Sequence, residues 1–186
     1  MCLACRAELR WLDDRPVELA GIDVWAPVAY DGPARALVGG LKFRGAAGLA
    51  DPMAAQIAAV GPPRLLRPPR LLVPVPLHPG RSRVRGYNQA ERLAASLARR
   101  TGMRVADCLR RRGSTGGRQV GRGRAERLAA LEGAIQSRPG VLVPERVVLV
   151  DDVVTTGGTV AACAEALHAG GAIDIAAVAY ALTPGR

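Results

Sequence analysis

Aromatic side chains are scarce in this chain of 186 residues: one Phe, three Tyr and two Trp. Proteins that hold single strands of nucleic acid without sequence preference stack bases on aromatic rings, and this sequence offers few such platforms. Acidic residues are in deficit. There are 16 Asp and Glu against 26 Lys and Arg, a formal charge of +10. The two histidines, His78 and His168, show no metal-ligand spacing. No apolar stretch approaches the ~20 residues of a membrane helix, and the N-terminus lacks the apolar core of a secretion signal. A cytoplasmic protein with no membrane partner is expected. In that compartment cysteines are thiols or metal ligands, not disulfides. Cys2 and Cys5 have the C-x-x-C spacing of a zinc knuckle, but zinc takes four ligands and they supply two. Bound zinc is therefore not expected. Cys108 and Cys163 lie among apolar neighbours and read as core residues.

What is abundant is Ala, Val, Leu and Arg. Apolar residues make up 49% of the chain, enough for the core of one domain with a modest extension. The planar Arg fork pairs two oxygens at once and suits phosphate-rich ligands. It suits nucleic acid equally well, so charge alone does not separate the two.

The densest signal is Val147-Val148-Leu149-Val150-Asp151-Asp152-Val153-Val154-Thr155-Thr156-Gly157-Gly158-Thr159. The apolar run reads as a strand buried on both faces of a parallel sheet. Ligands bind at the carboxyl ends of such strands, where the two carboxylates stand. The Thr/Gly turn opens a helix from Val160 to Ala169, and its free N–H groups form an anion site. Carboxylates beside an anion cradle match a ligand with vicinal hydroxyls and a phosphate, such as a ribose 5-phosphate.

Elsewhere, Asp23–Tyr30 reads as a strand, and Pro33–Leu41 and Ala46–Val60 read as helices. Gly61-Pro62-Pro63 and Pro68-Pro69 bracket a stiff linker with polyproline geometry. Leu71–Val73 reads as the first core strand, followed by a basic loop carrying Arg81, Arg83 and Arg85. Asn88 and Glu91 form a capping-box pattern for a helix from Ala90 to Arg100, with Leu93, Ala94 and Leu97 on its buried face. Met103–Leu109 reads as a strand, Arg110–Arg127 as a long loop, Arg127–Ile135 as a helix and Ile173–Leu182 as the last strand. Gly170-Gly171 ends the preceding helix. The β-α-β alternation predicts a mostly parallel α/β sheet flanked by helices. The chain divides into residues 1–66 as an N-terminal hood and 67–186 as the core domain.

The run Leu149–Thr159 resembles the phosphoribosyl-pyrophosphate (PRPP) motif of type I phosphoribosyltransferases. Further segments resemble the ComF group of that family, which is linked to competence: Lys42-Phe43-x-Gly45, Pro74-Val75-Pro76-Leu77, Arg83-x-Arg85-Gly86-Tyr87-Asn88-Gln89-Ala90, and Arg110-x-Arg112-x-x-Thr115-x-x-x-Gln119 with Arg127. Leu at the place of Arg122, Asn near Ala130 and Phe near Ile135 are usual in the group and are replaced here. The resemblance implies the type I phosphoribosyltransferase fold. It also implies transfer of a phosphoribosyl group to a small-molecule acceptor, with Mg²⁺ bound alongside PRPP. It assigns the ribose hydroxyls to Asp151 and Asp152 and the 5-phosphate to Thr155, Thr156, Gly157, Gly158 and Thr159. It assigns the leaving pyrophosphate to Val75, Pro76, Arg83, Arg85, Arg112, Thr115 and Gln119. Asp151, Asp152 and Arg112 are the expected catalytic residues. A mobile loop from Arg110 to Gln119 is expected to close over the site and exclude water. Lys42 and Arg44 are expected on the acceptor side. No side chain reads as a covalent nucleophile. The alternatives are a PRPP or nucleotide sensor and a component of DNA uptake, since a fold does not prove turnover. Weak nucleic-acid binding and a homodimer are further expectations.

Overall fold

The computed structural model describes residues 3–42, 46–112 and 134–183. One sheet organises them. Its strands are β1 (Val17–Leu19), β2 (Ile22–Trp25), β3 (Val28–Ala29), β4 (Leu71–Pro74), β7 (Arg146–Val154) and β8 (Asp174–Leu182). The order is β1-β2-β8-β7-β4, with β3 also paired to β8. Every pairing is parallel except that of β1 with β2. A separate antiparallel ribbon joins β5 (Leu109–Arg111) to β6 (Ile135–Ser137).

The sheet is buried on both faces, as the unbroken apolar run of β7 requires. Val148 and Val150 point to one side, where they meet Val38, Met53, Ile57, Leu93, Leu97 and Tyr180. That layer is built by α2 (Gly32–Leu41), α3 (Ala50–Val60) and α5 (Gln89–Thr101). Val147 and Leu149 point to the other side, among Cys108, Ile135, Cys163 and Leu167. There α6 (Gly158–Ala169) and the β5–β6 ribbon form the cover. A one-turn α1 (Leu3–Ala7) precedes β1, and α4 (Pro79–Arg85) follows β4. Residues 1–66 and 67–186 share the sheet, because β2 and β3 both pair with β8. The division at 66 is thus one of the chain and not of the sheet.

Several local expectations are corrected. The strand Asp23–Tyr30 breaks at Ala26-Pro27, since Pro cannot donate to a ladder. The linker 61–69 is a packed turn, not extended polyproline: Leu65 N donates to the Pro62 carbonyl at 2.9 Å, and Leu65 joins the core. Of the expected strand Met103–Leu109, Val105 makes only a bridge to Leu72 of β4, and Leu109 opens β5 instead. Arg110, expected in a loop, lies in β5, and Ile135, expected to end a helix, lies in β6. Burial of Leu109 and Ile135 against α6 overrides the Arg-rich composition there. Residues 113–133 of the predicted loop and helix, including Thr115, Gln119 and Arg127, lie outside the described residues, as do Cys2, Phe43, Arg44 and Gly45.

The helix-start pattern at Asn88 is realised in altered form. Asn88 Oδ1 accepts from Ala90 N at 3.1 Å, capping α5. Its Nδ2 donates to the Val75 carbonyl at 3.0 Å and to Glu91 Oε1 at 3.2 Å. Glu91 thus braces the cap side chain and does not reach back to the backbone. Asn88 is buried, and its bonds to Ala90 N and to the Val75 carbonyl are shielded from water. Asn88→Ala is expected to lower stability in urea unfolding by about 2 kcal/mol or more, from the lost cap and the buried carbonyl left without its donor. Asn88→Asp, which keeps the cap but not the donor, is expected to recover only part of this.

Candidate functional site

The strand β7 carries its carboxylates inside the sheet: pairing with β8 continues to Val154. Asp151 and Asp152 therefore stand on the last turns of a buried ladder, not in a loop beyond it. Asp152 is 6% exposed. Asp151 Oδ1 accepts from Asp152 N at 2.8 Å, and Lys42 Nζ lies 3.5 Å from Asp152 Oδ2. The pair faces a cavity of about 170 Å³ at the carboxyl end of β4 and β7. Val75 and Pro76, both expected at the site, line it, as does Thr159.

The turn after β7 follows from its glycines. Gly157 has φ +77° and N-caps α6, a left-handed conformation that a side chain disfavours. A Cβ there would also stand 3.4 Å from Leu19 Cβ. Gly157 and Gly158 are buried, while Thr155 and Thr156 are exposed beside them. The first N–H groups of α6 are thereby left open for an anion.

The cations converge differently from the sequence-based expectation. The segment read as a basic loop is the helix α4, started by Pro79 and by the His78 side chain, whose Nδ1 accepts from Gly80 N at 3.1 Å. Its helical spacing sends Arg81 and Arg85 to the carboxylate cavity. Arg83, two residues from each, lines an adjoining cavity of about 400 Å³ with Arg110 and Arg138. In β5, Arg110 lines only the adjoining cavity and Arg111 borders both. Arg111 lines the carboxylate cavity, whereas Arg112, expected as catalytic, is exposed and bonds through its backbone to the Ala134 carbonyl. Sequence reasoning missed Arg81, Arg111 and Gln89. The alternation of a helix and a ribbon was the signal for the two arginines, once the loop assignments are replaced.

The Arg-Gly-Tyr-Asn-Gln run also becomes intelligible. Arg85 reaches the cavity and donates to Gln89 Oε1 at 3.0 Å. Gly86, at φ +78°, ends α4. The Tyr87 hydroxyl donates to the Leu41 carbonyl, fixing the end of α2 from which Lys42 extends over Asp152.

Burial and the neighbouring Asp152 charge push Asp151 from its ordinary 3.8 up to about 8. Burial raises Asp152 too, opposed by Lys42 and Arg85. His78 is held below its usual value by burial and by Arg111 and Arg81. Among the described residues no group of three or more His, Cys, Asp and Glu could hold a metal. Of the C-x-x-C pair, Cys5 is exposed and Cys2 lies outside the described residues. Cys108 and Cys163 are fully buried, as core residues should be. No helix among the described residues is long and apolar enough to cross a membrane.

A carboxylate pair on a central parallel strand thus stands beside a glycine turn and a wall made by Arg81, Arg85 and Arg111. The phosphoribosyl transferase domain model matches residues 85–184, more than half of the chain. The chain belongs to the phosphoribosyl transferase domain family. Its mostly parallel sheet with helices on both faces is the type I phosphoribosyltransferase fold. Competence protein ComFC of Streptococcus pneumoniae (strain ATCC BAA-255 / R6) is 33% identical over 103 residues, covering 55% of this chain and 44% of that protein. The resemblance to the ComF group is borne out by that match, which spans less than half of the relative's length. Two solved structures are also similar. The allosteric regulatory enzyme of purine biosynthesis is 19% identical, with a TM-score of 0.41 over 85% of this chain and 26% of that one. A hypoxanthine phosphoribosyltransferase from Staphylococcus aureus is 14% identical, with a TM-score of 0.39 over 72% and 60%.

Between pH 3.8 and about 8 the folded, ligand-free chain holds a proton on Asp151 that the unfolded chain has lost. Stability therefore falls as pH rises through that window. Asp151→Asn is expected to flatten the fall by more than ~1.4 kcal/mol, the value of one pKa unit. Urea unfolding at intervals from pH 5 to 9, without metal or ligand, measures it, and parallel profiles for the two proteins would contradict the burial argument.

Proposed function

We propose that this chain binds PRPP with Mg²⁺ and transfers its phosphoribosyl group to a small-molecule acceptor, releasing pyrophosphate. The observation that carries this reading is the convergence of Asp151 and Asp152 with Arg81, Arg85 and Arg111 on one cavity beside the Gly157 turn. The carboxylates are acceptors for two adjacent ribose hydroxyls. The turn offers N–H groups to the 5-phosphate. The arginines complement the diphosphate, and their forks can each pair two of its oxygens. The cavity is small, so PRPP would fill it with one end and extend over Thr155–Thr159 with the other. Carboxylate and phosphate oxygens suit a hard cation that keeps few protein ligands. Mg²⁺ held through Asp151, Asp152 and the substrate would offset negative charge on the departing diphosphate.

In the transfer, the acceptor, read as a nitrogen nucleophile, forms the bond to C1 of the ribose. The C1–O bond breaks, and its electron pair leaves with the diphosphate. The protein's part is position and charge. Lys42 opposes the buried Asp152 charge and reaches the site from the N-terminal segment, the side on which an acceptor would enter. A cytoplasmic setting belongs to this reading.

A component of DNA uptake is the second reading, and two observations favour it. The curated relative is a competence protein, and Arg83, Arg110 and Arg138 line the cavity that adjoins the carboxylates. Arg138 is already paired with Asp107 at 2.9 Å, which leaves less charge for a phosphate backbone.

Pyrophosphate release is expected from PRPP, Mg²⁺ and one member of a panel of purine and pyrimidine bases, ammonia and small amines. Asp152→Asn is expected to weaken PRPP binding by about tenfold or more through the lost charged acceptor. Calorimetry showing unchanged affinity would reject the site. Binding of short single-stranded DNA should fall steeply with salt, as counterion release dictates. Tight binding at physiological salt that PRPP leaves undisturbed would favour the second reading.

A further inference from the structure

Two buried donors at the cavity have no hydrogen-bond partner among the described residues: Nε2 of Gln89 and Nε of Arg111. They belong to different elements, the first turn of α5 and the end of β5, and both side chains line the same space. A buried N–H without an acceptor forgoes the water it bonded in the unfolded chain, and folded proteins keep such groups few. Gln89 is 2% exposed. Arg85 carries only donors, so the amide end facing its Nη1 at 3.0 Å must be the oxygen. The orphan is therefore the NH₂ end. Around it stand Arg81, Arg85 and Arg111, which also only donate. Of the other side chains lining the cavity, Asp151 Oδ1 accepts from the Asp152 backbone, Asp152 Oδ2 faces Lys42, Asn88 Oδ1 accepts from Ala90 N and His78 Nδ1 accepts from Gly80 N. The orphan amide and the three arginines together are complementary to a group that only accepts and is negatively charged.

We propose that Gln89 contacts the ligand, donating through Nε2 to a diphosphate oxygen held among Arg81, Arg85 and Arg111. This assignment rests on the PRPP reading given above. The arginines supply charge, which attracts from a distance with little preference for direction. The amide supplies one directed bond from a buried, packed side chain. It fixes the rotation of the diphosphate and with it the line along which the leaving oxygen departs. The Arg85 bond to Oε1 holds the amide plane, so Arg85 has both a ligand edge and a bracing edge.

The test is calorimetry on the full chain with Mg²⁺, using inorganic diphosphate and, separately, ribose 5-phosphate. Gln89→Met is expected to weaken diphosphate binding at least about fivefold, the scale of one neutral hydrogen bond. Gln89→Glu is expected to weaken it further, since a carboxylate repels the anion. Ribose 5-phosphate affinity should stay within about twofold in both, because its phosphate is read by the Thr155–Thr159 turn. A purely structural Gln89 would lower both affinities together or neither, and either result overturns the proposal. A second measurement needs no variant. In the wild-type protein, the NMR signals of the Gln89 side-chain amide should move with diphosphate and stay with ribose 5-phosphate. Signals that ignore diphosphate overturn the assignment even if the variants fail to fold. Wild-type binding of ribose 5-phosphate without diphosphate would sink this inference alone, and binding of neither would sink the PRPP reading with it.

Discussion

Two adjacent carboxylates held inside the central ladder set the terms for the rest of the site. Strand β7 is buried from Val147 to Val150 and stays paired with β8 through Val154, so Asp151 and Asp152 cannot retreat to solvent without breaking the sheet. Burial raises both, and the Asp152 charge raises Asp151 further. The protein answers in two ways. Asp151 keeps its proton to about pH 8, and Asp152 is faced by Lys42, itself held by the Tyr87 bond to Leu41. A site tuned this way is poised for partners that neutralise or bond to carboxylates, and perturbed acids in a cleft are a mark of function.

The cationic wall follows a geometric rule more than a compositional one. Three arginines alternate along α4 and three along the run Arg110–Arg112, yet only Arg81, Arg85 and Arg111 line the carboxylate cavity. In a helix, residues four apart share a face, which groups Arg81 with Arg85 and sends Arg83 elsewhere. In a ribbon successive residues point to opposite sides, and of Arg110 and Arg111 only Arg111 reaches the carboxylate cavity. The same arithmetic explains how a strongly basic chain confines its charge at the site to a few directed groups.

This also marks where the sequence was legible. The β7–α6 unit could be read residue by residue, because an apolar run, a carboxylate pair and a Gly turn each have one physical use in that order. The amphipathic face of α5, with Leu93, Ala94 and Leu97 buried, was equally plain. Illegible were segments whose structure depends on distant contacts. Pro79–Arg85 looks like a loop because it lacks an apolar face, and none of its residues is buried. It is helical through the His78 cap and Pro79 at the first turn. Arg110 and Arg111 look like the start of a loop until Gln136 and Ile135 pair with them across the ribbon. Misreading those two elements misassigned Arg83 and Arg112 by one or two positions, a slip that moves a side chain to the opposite face. Gln89 was hidden for another reason: in sequence it reads as part of a helix cap, and its orphan donor exists only in the folded cavity.

The family model begins at Arg85, but the cavity does not. Residues before it supply Lys42, Val75, Pro76, His78 and Arg81. The segment also supplies β2 and β3, which flank β8, and the helices that cover Val148 and Val150. A fragment restricted to the matched region would keep both carboxylates and lose the Lys42 charge facing Asp152. The Lys42 side chain is 26% exposed over the buried Asp152, and losing it would leave that carboxylate less compensated. The acidic pair therefore ties the N-terminal segment to the core electrostatically as well as through the sheet. Variation in the first 66 residues reaches the site through Lys42, so changes that alter what enters beside the carboxylates must also preserve a cation there.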